Sequence, residues 1–532
     1  MSALASTPSI TDGYLGAADA RPGIPGTAYD TAWLASVAAP DDPHRPLFPA
    51  ALQWLVEHQR PDGSWGGAIR YEHDRVLCTL AALAPLATFG RRAEDRAAVA
   101  AGTRYLWQHS HRLAAEPAEL VGFELLLPAM VQRAAQAGVA VPPNLDLYRA
   151  ERADKLRLIP PAALYSPAVT IVHSLEFLGD GADPAGLGAA QGANGALGNS
   201  PSATAFCYSR TGDVRALRYL EDCLSRGGGA TAPVLYPCET FETLWAAYHL
   251  FLAGVPAAHL LQPDERDALG SALAAGGVSL SPTFPIPDAD DTAVALLLLH
   301  DLGESVDPGV LRPFAVGPGG CFASFPYERH SSVGVNLHVL HALLRVRGYP
   351  DRHGTIDRLL DYLVERQIGG LYWLDKWHIS PYYATAHALC VLRELPPPHA
   401  RRLAPVLERA REWLRQTQNH DGSWGFYGEP TVEETAYAVL ALLRGAGPVP
   451  PSPADRGRCA AAMRYLRAAT PADAEDGAAL PPLWIDKCLY TPTHVVRATI
   501  RAAELAYSRI EVTSTPSARR GRRAALAVVR PC

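Results

Sequence analysis

Gln59-Arg60-Pro61-Asp62-Gly63-Ser64-Trp65-Gly66 returns far along the chain as Gln418-Asn419-His420-Asp421-Gly422-Ser423-Trp424-Gly425. In both copies a tryptophan, Trp54 or Trp413, stands five residues before the glutamine. A degenerate copy, Gln191-Gly192-Ala193-Asn194-Gly195-Ala196-Leu197-Gly198, keeps the spacing, and a fourth retains only Gln367 and Trp373. The physics is a helix end, a tight Asp-Gly or Asn-Gly turn, and an aromatic that packs back on the helix before it. A second element accompanies these turns: an acid or small polar residue, then Thr-Ala, then an apolar helix. It stands at Asp30-Thr31-Ala32, Asp291-Thr292-Ala293, Thr385-Ala386 and Glu434-Thr435-Ala436. Paired helices repeated this way stack into a solenoid or close into a ring, and the pattern predicts an all-α chain of α/α toroids.

Working outward, apolar residues at i, i+3 and i+4 predict helices over 49–58, 96–109, 121–137, 213–225, 240–253 and 292–302. The same pattern continues over 335–346, 356–366, 403–416, 433–444, 460–469 and 493–505. Alternating strand patterns are scarce, so the 44 Gly and 46 Pro belong mostly to short connections. A chain of 532 residues allows two or three domains at ~150 residues each. The Gly-, Ser- and Pro-rich stretch 271–287 marks the expected boundary between two runs of repeats.

Lys+Arg 48 against Asp+Glu 54 gives a net charge of −6, which argues against a nucleic-acid partner because no broad basic face can neutralise phosphates. The basic run Arg519, Arg520, Arg522 and Arg523 follows Ser and Pro and reads as part of a disordered tail, 509–532. Nine cysteines show no metal spacing and read as reduced thiols. The first residues lack a basic start and an apolar core, and the apolar run near 293–299 is too short to span a bilayer. The expectation is a cytoplasmic enzyme without a transmembrane segment, its oligomeric state unassigned.

Pro285-Ile286-Pro287-Asp288-Ala289-Asp290-Asp291-Thr292-Ala293 is the most unusual segment. Helix capping explains one aspartate, because a carboxylate satisfies free N–H groups and the helix dipole. Three carboxyls before an apolar helix repel one another, and at least one must hold its proton. Capping and function both stand on spacing alone. The functional reading is an acid kept protonated by its neighbours and an apolar cavity. Such a group can protonate a carbon–carbon double bond, provided that aromatic faces and no water surround the resulting cation.

Asp288-Ala-Asp290-Asp291-Thr-Ala is similar to the DxDD-Thr-Ala signature of class II terpene cyclases. Tyr29-Asp30-Thr31-Ala32-Trp33 resembles their N-terminal element. Val172-His173-Ser174-Leu175-Glu176, Ser200-Pro201 to Thr204-Ala205, and Leu235-Tyr236-Pro237 with Phe241-Glu242 and Trp245 resemble diterpene cyclase segments in order. Asp375-Lys376-Trp377 through Tyr383 and Pro482-Leu483-Trp484 through Pro492 resemble bacterial labdane- and clerodane-type cyclases. The likeness covers nearly the whole chain.

The resemblance implies two α-barrels, β and γ, with the active site between them. Residues 1–45 would complete the β domain, 46–274 form γ, and 275–508 carry the acid. It implies a class II diterpene cyclase that turns geranylgeranyl diphosphate into a bicyclic, copalyl-type diphosphate. Alternatives are a clerodane or halimadane skeleton, or farnesyl diphosphate giving drimenyl diphosphate. No DDxxD motif follows Asp41-Asp42, so the diphosphate is expected to survive. Triterpene cyclases carry more Gln/Trp repeats, while toroidal glycosidases place their acids on separate loops. A non-catalytic binding module would tolerate loss of Asp290.

By the same resemblance Asp290 is the general acid, with Asp288 and Asp291 setting its acidity. Mg²⁺ would bind an acidic stretch, here Glu116, Glu119 and Glu124, for which solvated carboxylates are the plainer reading. Lys376 and Lys487 would contact the diphosphate, with Asp–Lys ion pairs as the alternative. His173 falls where plant ent-copalyl cyclases place the histidine of a His–Asn base, but the Asn position is Val234; a core histidine is the other reading. Trp373, Trp377, Tyr382 and Tyr383 are candidate cavity walls, whereas Trp65 and Trp424 read as turn aromatics.

Overall fold

A computed structural model describes residues 23–116, 119–316, 320–328, 330–445, 450–469 and 480–514. The repeated turns form as the spacing predicts. Trp65, Trp373 and Trp424 are each buried, and each indole N–H donates to the carbonyl ten residues earlier, at 2.6, 2.7 and 2.9 Å. The same tryptophans donate their backbone N–H to the hydroxyls of Thr79, Thr385 and Thr435, at 3.0–3.1 Å. At Thr385 and Thr435, the Thr-Ala element is therefore the acceptor that closes the turn. Gln59 and Gln418 donate to the carbonyls of Gly63 and Gly422 at 2.8 and 2.9 Å. Those glycines have φ of +91° and +94°, and a Cβ on either would come within 2.6 Å of a neighbouring backbone atom.

The helices close into two rings. The first runs Ala28–Ala35, Glu72–Phe89, Phe123–Gln136, the 3-10 segment Thr170–Gly181 and Pro201–Thr211, which returns to Ala28–Ala35. The second runs Glu239–Leu252, Ala289–Asp301, Val333–Arg345, Pro381–Leu392, Val432–Arg444 and Thr493–Ser514, which packs back on Glu239–Leu252. Outer helices such as Ala93–His109 and Pro453–Ala469 pair with their inner neighbours. The inner helices carry the apolar residues; Ala28–Ala35 is buried along its whole length.

The rings correct the expected boundaries. Helix Ala28–Ala35 packs on Glu72–Phe89 and Pro201–Thr211, so it closes the first barrel rather than completing the second. Helix Glu239–Leu252 belongs to the second barrel, and the barrels meet in the chain before it. The stretch 271–287 is a loop inside the second barrel, joining outer helix Pro263–Ala275 to inner helix Ala289–Asp301. Helix Thr493–Ser514 carries order beyond residue 508, and the basic run at 519–523 lies outside the described residues.

A short hairpin, Trp484–Ile485 paired with Leu489–Tyr490, fastens the second barrel to the first. Leu489 donates its N–H to Asp74 at 2.9 Å, and Val121 donates to the Asp486 carbonyl at 3.1 Å. Lys487, fully buried, drives its ammonium into the first barrel. It donates to Glu176 at 2.9 Å, to the His173 carbonyl at 2.8 Å and to Ser200 and Ser202 at 2.5 Å. Losing that carboxylate would strand a buried charge, which costs about 3–5 kcal/mol. The described cysteines are free thiols, and no described helix is long and apolar enough to cross a membrane.

Candidate active site

A cavity of about 960 Å³ opens between the barrels. Asp288, Asp290 and Asp291 line it from the start of helix Ala289–Asp301. Asp288 is the N-cap and accepts the Asp291 N–H at 2.8 Å, so capping is real for one acid of the three. All three are buried. Burial, reinforced by Asp291, pushes the Asp288 carboxyl well up. Burial and the Asp290 charge push Asp291 up to about 7. Burial also raises Asp290, against the pull of His338. Nδ1 of His338 lies 2.6 Å from Asp290 Oδ1. The arrangement keeps protons on carboxyl groups at neutral pH, as a carboxylic acid serving as proton donor requires.

The walls near these acids are aromatic. Phe241, Trp245, Trp377, Tyr383, Trp484 and Tyr490 line the cavity. Trp245 and Trp484 meet edge to face at 5.9 Å, and Tyr383 and Trp484 at 5.3 Å. Glu433 fixes this wall from behind, accepting from Trp484 Nε1 at 2.9 Å and lying 3.1 Å from His378 Nε2. Trp377 is held by its indole N–H on Ser324 Oγ at 3.0 Å. Such faces attract a cation while excluding water.

The other expected residues divide. Trp377 and Tyr383 reach the cavity, but Trp373 and Tyr382 do not line it. Trp373 is the aromatic of a repeat turn, and Tyr382 stacks on Trp413 at 4.8 Å in the core between helices. Lys487 is spent between the barrels and does not line this cavity. Lys376 pairs with Glu328 and lies 4.5 Å over the Trp377 ring, so the residue that reaches the cavity there is its partner. Asp375, which precedes it, accepts from Ser332 and Gly334 at 2.5 and 2.8 Å and anchors the start of helix Val333–Arg345.

Glu116 accepts the Glu72 N–H at 3.1 Å and does not line the cavity. Glu119 and Glu124 do, beside Glu151 and Asp154, two acids that the motif reading missed. Tyr148 donates to Glu119 at 2.7 Å, and Lys155 pairs with Glu124. These groups are exposed or half-buried, at the solvent side of the cavity. They are hard oxygen donors, but no three of them converge into a preformed cage among the described residues. That fits Mg²⁺, which keeps its waters and uses one or two carboxylates together with substrate phosphates.

His173 lines the cavity, and Val234 is buried in the core. The partner comes from elsewhere: Asp486, on the interdomain hairpin, places Oδ1 3.0 Å from His173 Nε2. His173 Nδ1 faces the Gly198 carbonyl at 2.8 Å. Burial would raise Asp486, yet His173 and Lys487 hold it below the usual carboxylate range. Both ring nitrogens of His173 thus face an oxygen, one on the first barrel and one on the hairpin. The only sequence signal for Asp486 was its place beside Lys487.

Residues 329–469 match the model of the squalene-hopene cyclase C-terminal domain. The chain is 32% identical over 509 residues to a type B diterpene cyclase of Mycobacterium tuberculosis, covering 90% of this chain and 95% of that one. It is 36% identical over 518 residues to a labda-7,13-dienyl diphosphate synthase of Streptomyces clavuligerus, covering 89% and 88%. Among solved structures it resembles ent-copalyl diphosphate synthase from Streptomyces platensis, with a TM-score of 0.72 and 30% identity over 94% of this chain and 99% of that one.

Proposed function

Since the chain belongs to the bacterial class II diterpene cyclases, we propose that it cyclises geranylgeranyl diphosphate to a bicyclic labdane-type diphosphate. The observation that carries the reading is Asp290: a buried carboxyl, raised in pKa and braced by His338, on a cavity walled by tryptophan and tyrosine. Protonation of the terminal alkene starts two ring closures, and the aromatic faces stabilise the migrating cation. The similar proteins include synthases of labda-7,13-dienyl, ent-copalyl and terpentedienyl diphosphate.

Glu119, Glu124, Glu151 and Asp154 at the mouth would hold Mg²⁺, whose charge would let the diphosphate of the substrate sit among them. Lys155 is the cation that lines the cavity there. The closing proton passes to the Asp486 carboxylate, with His173 holding it in place. His173 is then the orienting member of the pair, because its own nitrogens are already committed.

Incubation with geranylgeranyl diphosphate and Mg²⁺, phosphatase treatment and NMR of the alcohol test this reading. A bicyclic labdane alcohol is expected. A clerodane or halimadane skeleton would keep the class and overturn the product. Turnover of farnesyl diphosphate alone would overturn the substrate.

A further inference from the structure

Behind Asp290 a line of polar side chains crosses the second barrel, one from each of five inner helices. Asp290 meets His338 Nδ1 at 2.6 Å, and His338 Nε2 meets His387 Nδ1 at 2.9 Å. His387 Nε2 meets His249 Nε2 at 3.1 Å, and His249 Nδ1 meets the Thr499 hydroxyl at 3.0 Å. Thr499 Oγ1 also lies 3.0 Å from the Val495 carbonyl, one helical turn earlier. All four residues behind Asp290 are buried, and none of them lines the cavity.

We propose that Thr499 is a remote positioning residue that fixes the direction of this chain, so that His338 stays a donor at Nε2 and the hydrogen it shares with Asp290 comes in addition. The direction follows from counting hydrogens. A carbonyl oxygen cannot donate, so a 3.0 Å contact with Val495 places the single Thr499 hydrogen there. Thr499 must then accept from His249 Nδ1–H. A neutral His249 is left with a lone pair on Nε2, which accepts from His387 Nε2–H. His387 in turn accepts at Nδ1 from His338 Nε2–H. Burial and the neighbouring histidines hold His249 down to about 3 and His387 well below the usual range, so both remain neutral. Tyr437, whose ring packs on His249 and His387 at 5.6 and 5.9 Å, stays a neutral phenol because burial raises it.

His338 therefore presents a lone pair at Nδ1, and a 2.6 Å contact with Asp290 needs a hydrogen between the two atoms. With that proton in place, the transferable one sits on the other carboxyl oxygen. When it leaves, the Oδ2–H bond breaks and its electron pair stays on Asp290. The alkene π pair forms the new C–H bond. The carboxylate left behind still accepts from His338 at Oδ1. In the reversed chain, His338 would accept from His387 at Nε2, and its one hydrogen, on Nδ1, would be the one shared with Asp290. The contact could then no longer hold the extra proton.

The inference rests on Asp290 being the acid, but its first test does not. Nitrogen-15 NMR of histidine-labelled protein is expected to show His249 protonated at Nδ1 and His387 at Nε2. The opposite pair of tautomers would overturn the proposal whatever the activity. Thr499→Val keeps the shape and removes the acceptor. It should reverse or scramble those tautomers and lower kcat by about tenfold to a hundredfold with KM unchanged; Thr499→Ser should restore both. A Thr499→Val protein that folds with wild-type kcat and tautomers would also overturn it.

Discussion

At the inner end of the cavity three carboxyl groups crowd the start of one helix; at its mouth four more stand apart on the first barrel. The side chains are chemically alike, but their surroundings differ. Asp288, Asp290 and Asp291 are buried among apolar helices and aromatic rings, and each has its acidity weakened. Glu119, Glu151 and Asp154 face solvent and Glu124 is half-buried beside them, where Tyr148 and Lys155 engage two of the four. The first set stores protons, while the second offers oxygen atoms to a hard cation. On the proposed reading burial, not residue type, divides the labour: one end would protonate an alkene and the other would hold a diphosphate.

The largest effect that would break this comparison is at Asp290. Asp290→Asn keeps the volume and removes the proton, so the rate of cyclisation should fall by about 10³-fold, read as product formed from geranylgeranyl diphosphate. A variant with wild-type turnover would place the acid elsewhere. A smaller effect is expected at the mouth. Glu124→Gln and Glu119→Gln should each raise the Mg²⁺ concentration for half-maximal rate by about tenfold, and saturating Mg²⁺ should recover most of the rate. An unchanged Mg²⁺ titration in both variants would remove these residues from metal binding.

The smallest effect concerns stability. Asp291 is raised from 3.8 to about 7 in the folded protein, so the native state binds more protons than the unfolded one between those values. Stability therefore falls as pH rises through that window, and the stabilisation is fully present only below the unfolded value. Asp291→Asn should remove the slope and melt about 2–4 °C higher than wild type at pH 8. Near pH 4 the two should differ least.

The same contrast shows what was legible in the sequence. The repeats could be read because their physics is local: a glycine with positive φ, a tryptophan reaching back ten residues, and a threonine closing the turn. The three aspartates could be read because they crowd one another in four residues. Which helices close each ring was not legible, since that depends on which distant helices meet. Sequence alone therefore sends helix Ala28–Ala35 to the second barrel and makes a boundary of the loop 271–287. His338, His387, His249 and Thr499 are single polar residues on separate apolar helices, and only the closed ring aligns them. Lys487 misleads for a related reason: a lysine in an aromatic segment suggests a phosphate contact, whereas Glu176, Ser200 and Ser202 surround it. Asp486 gains its meaning only where the hairpin meets His173.

Cyclisation in heavy water tests most directly whether this cavity starts its reaction with a proton from Asp290. A carboxyl proton exchanges with solvent, so the product diphosphate should carry one deuterium on the ring carbon that was the terminal alkene, and no free diphosphate should be released. An unlabelled hydrocarbon formed together with an equivalent of diphosphate would contradict the account.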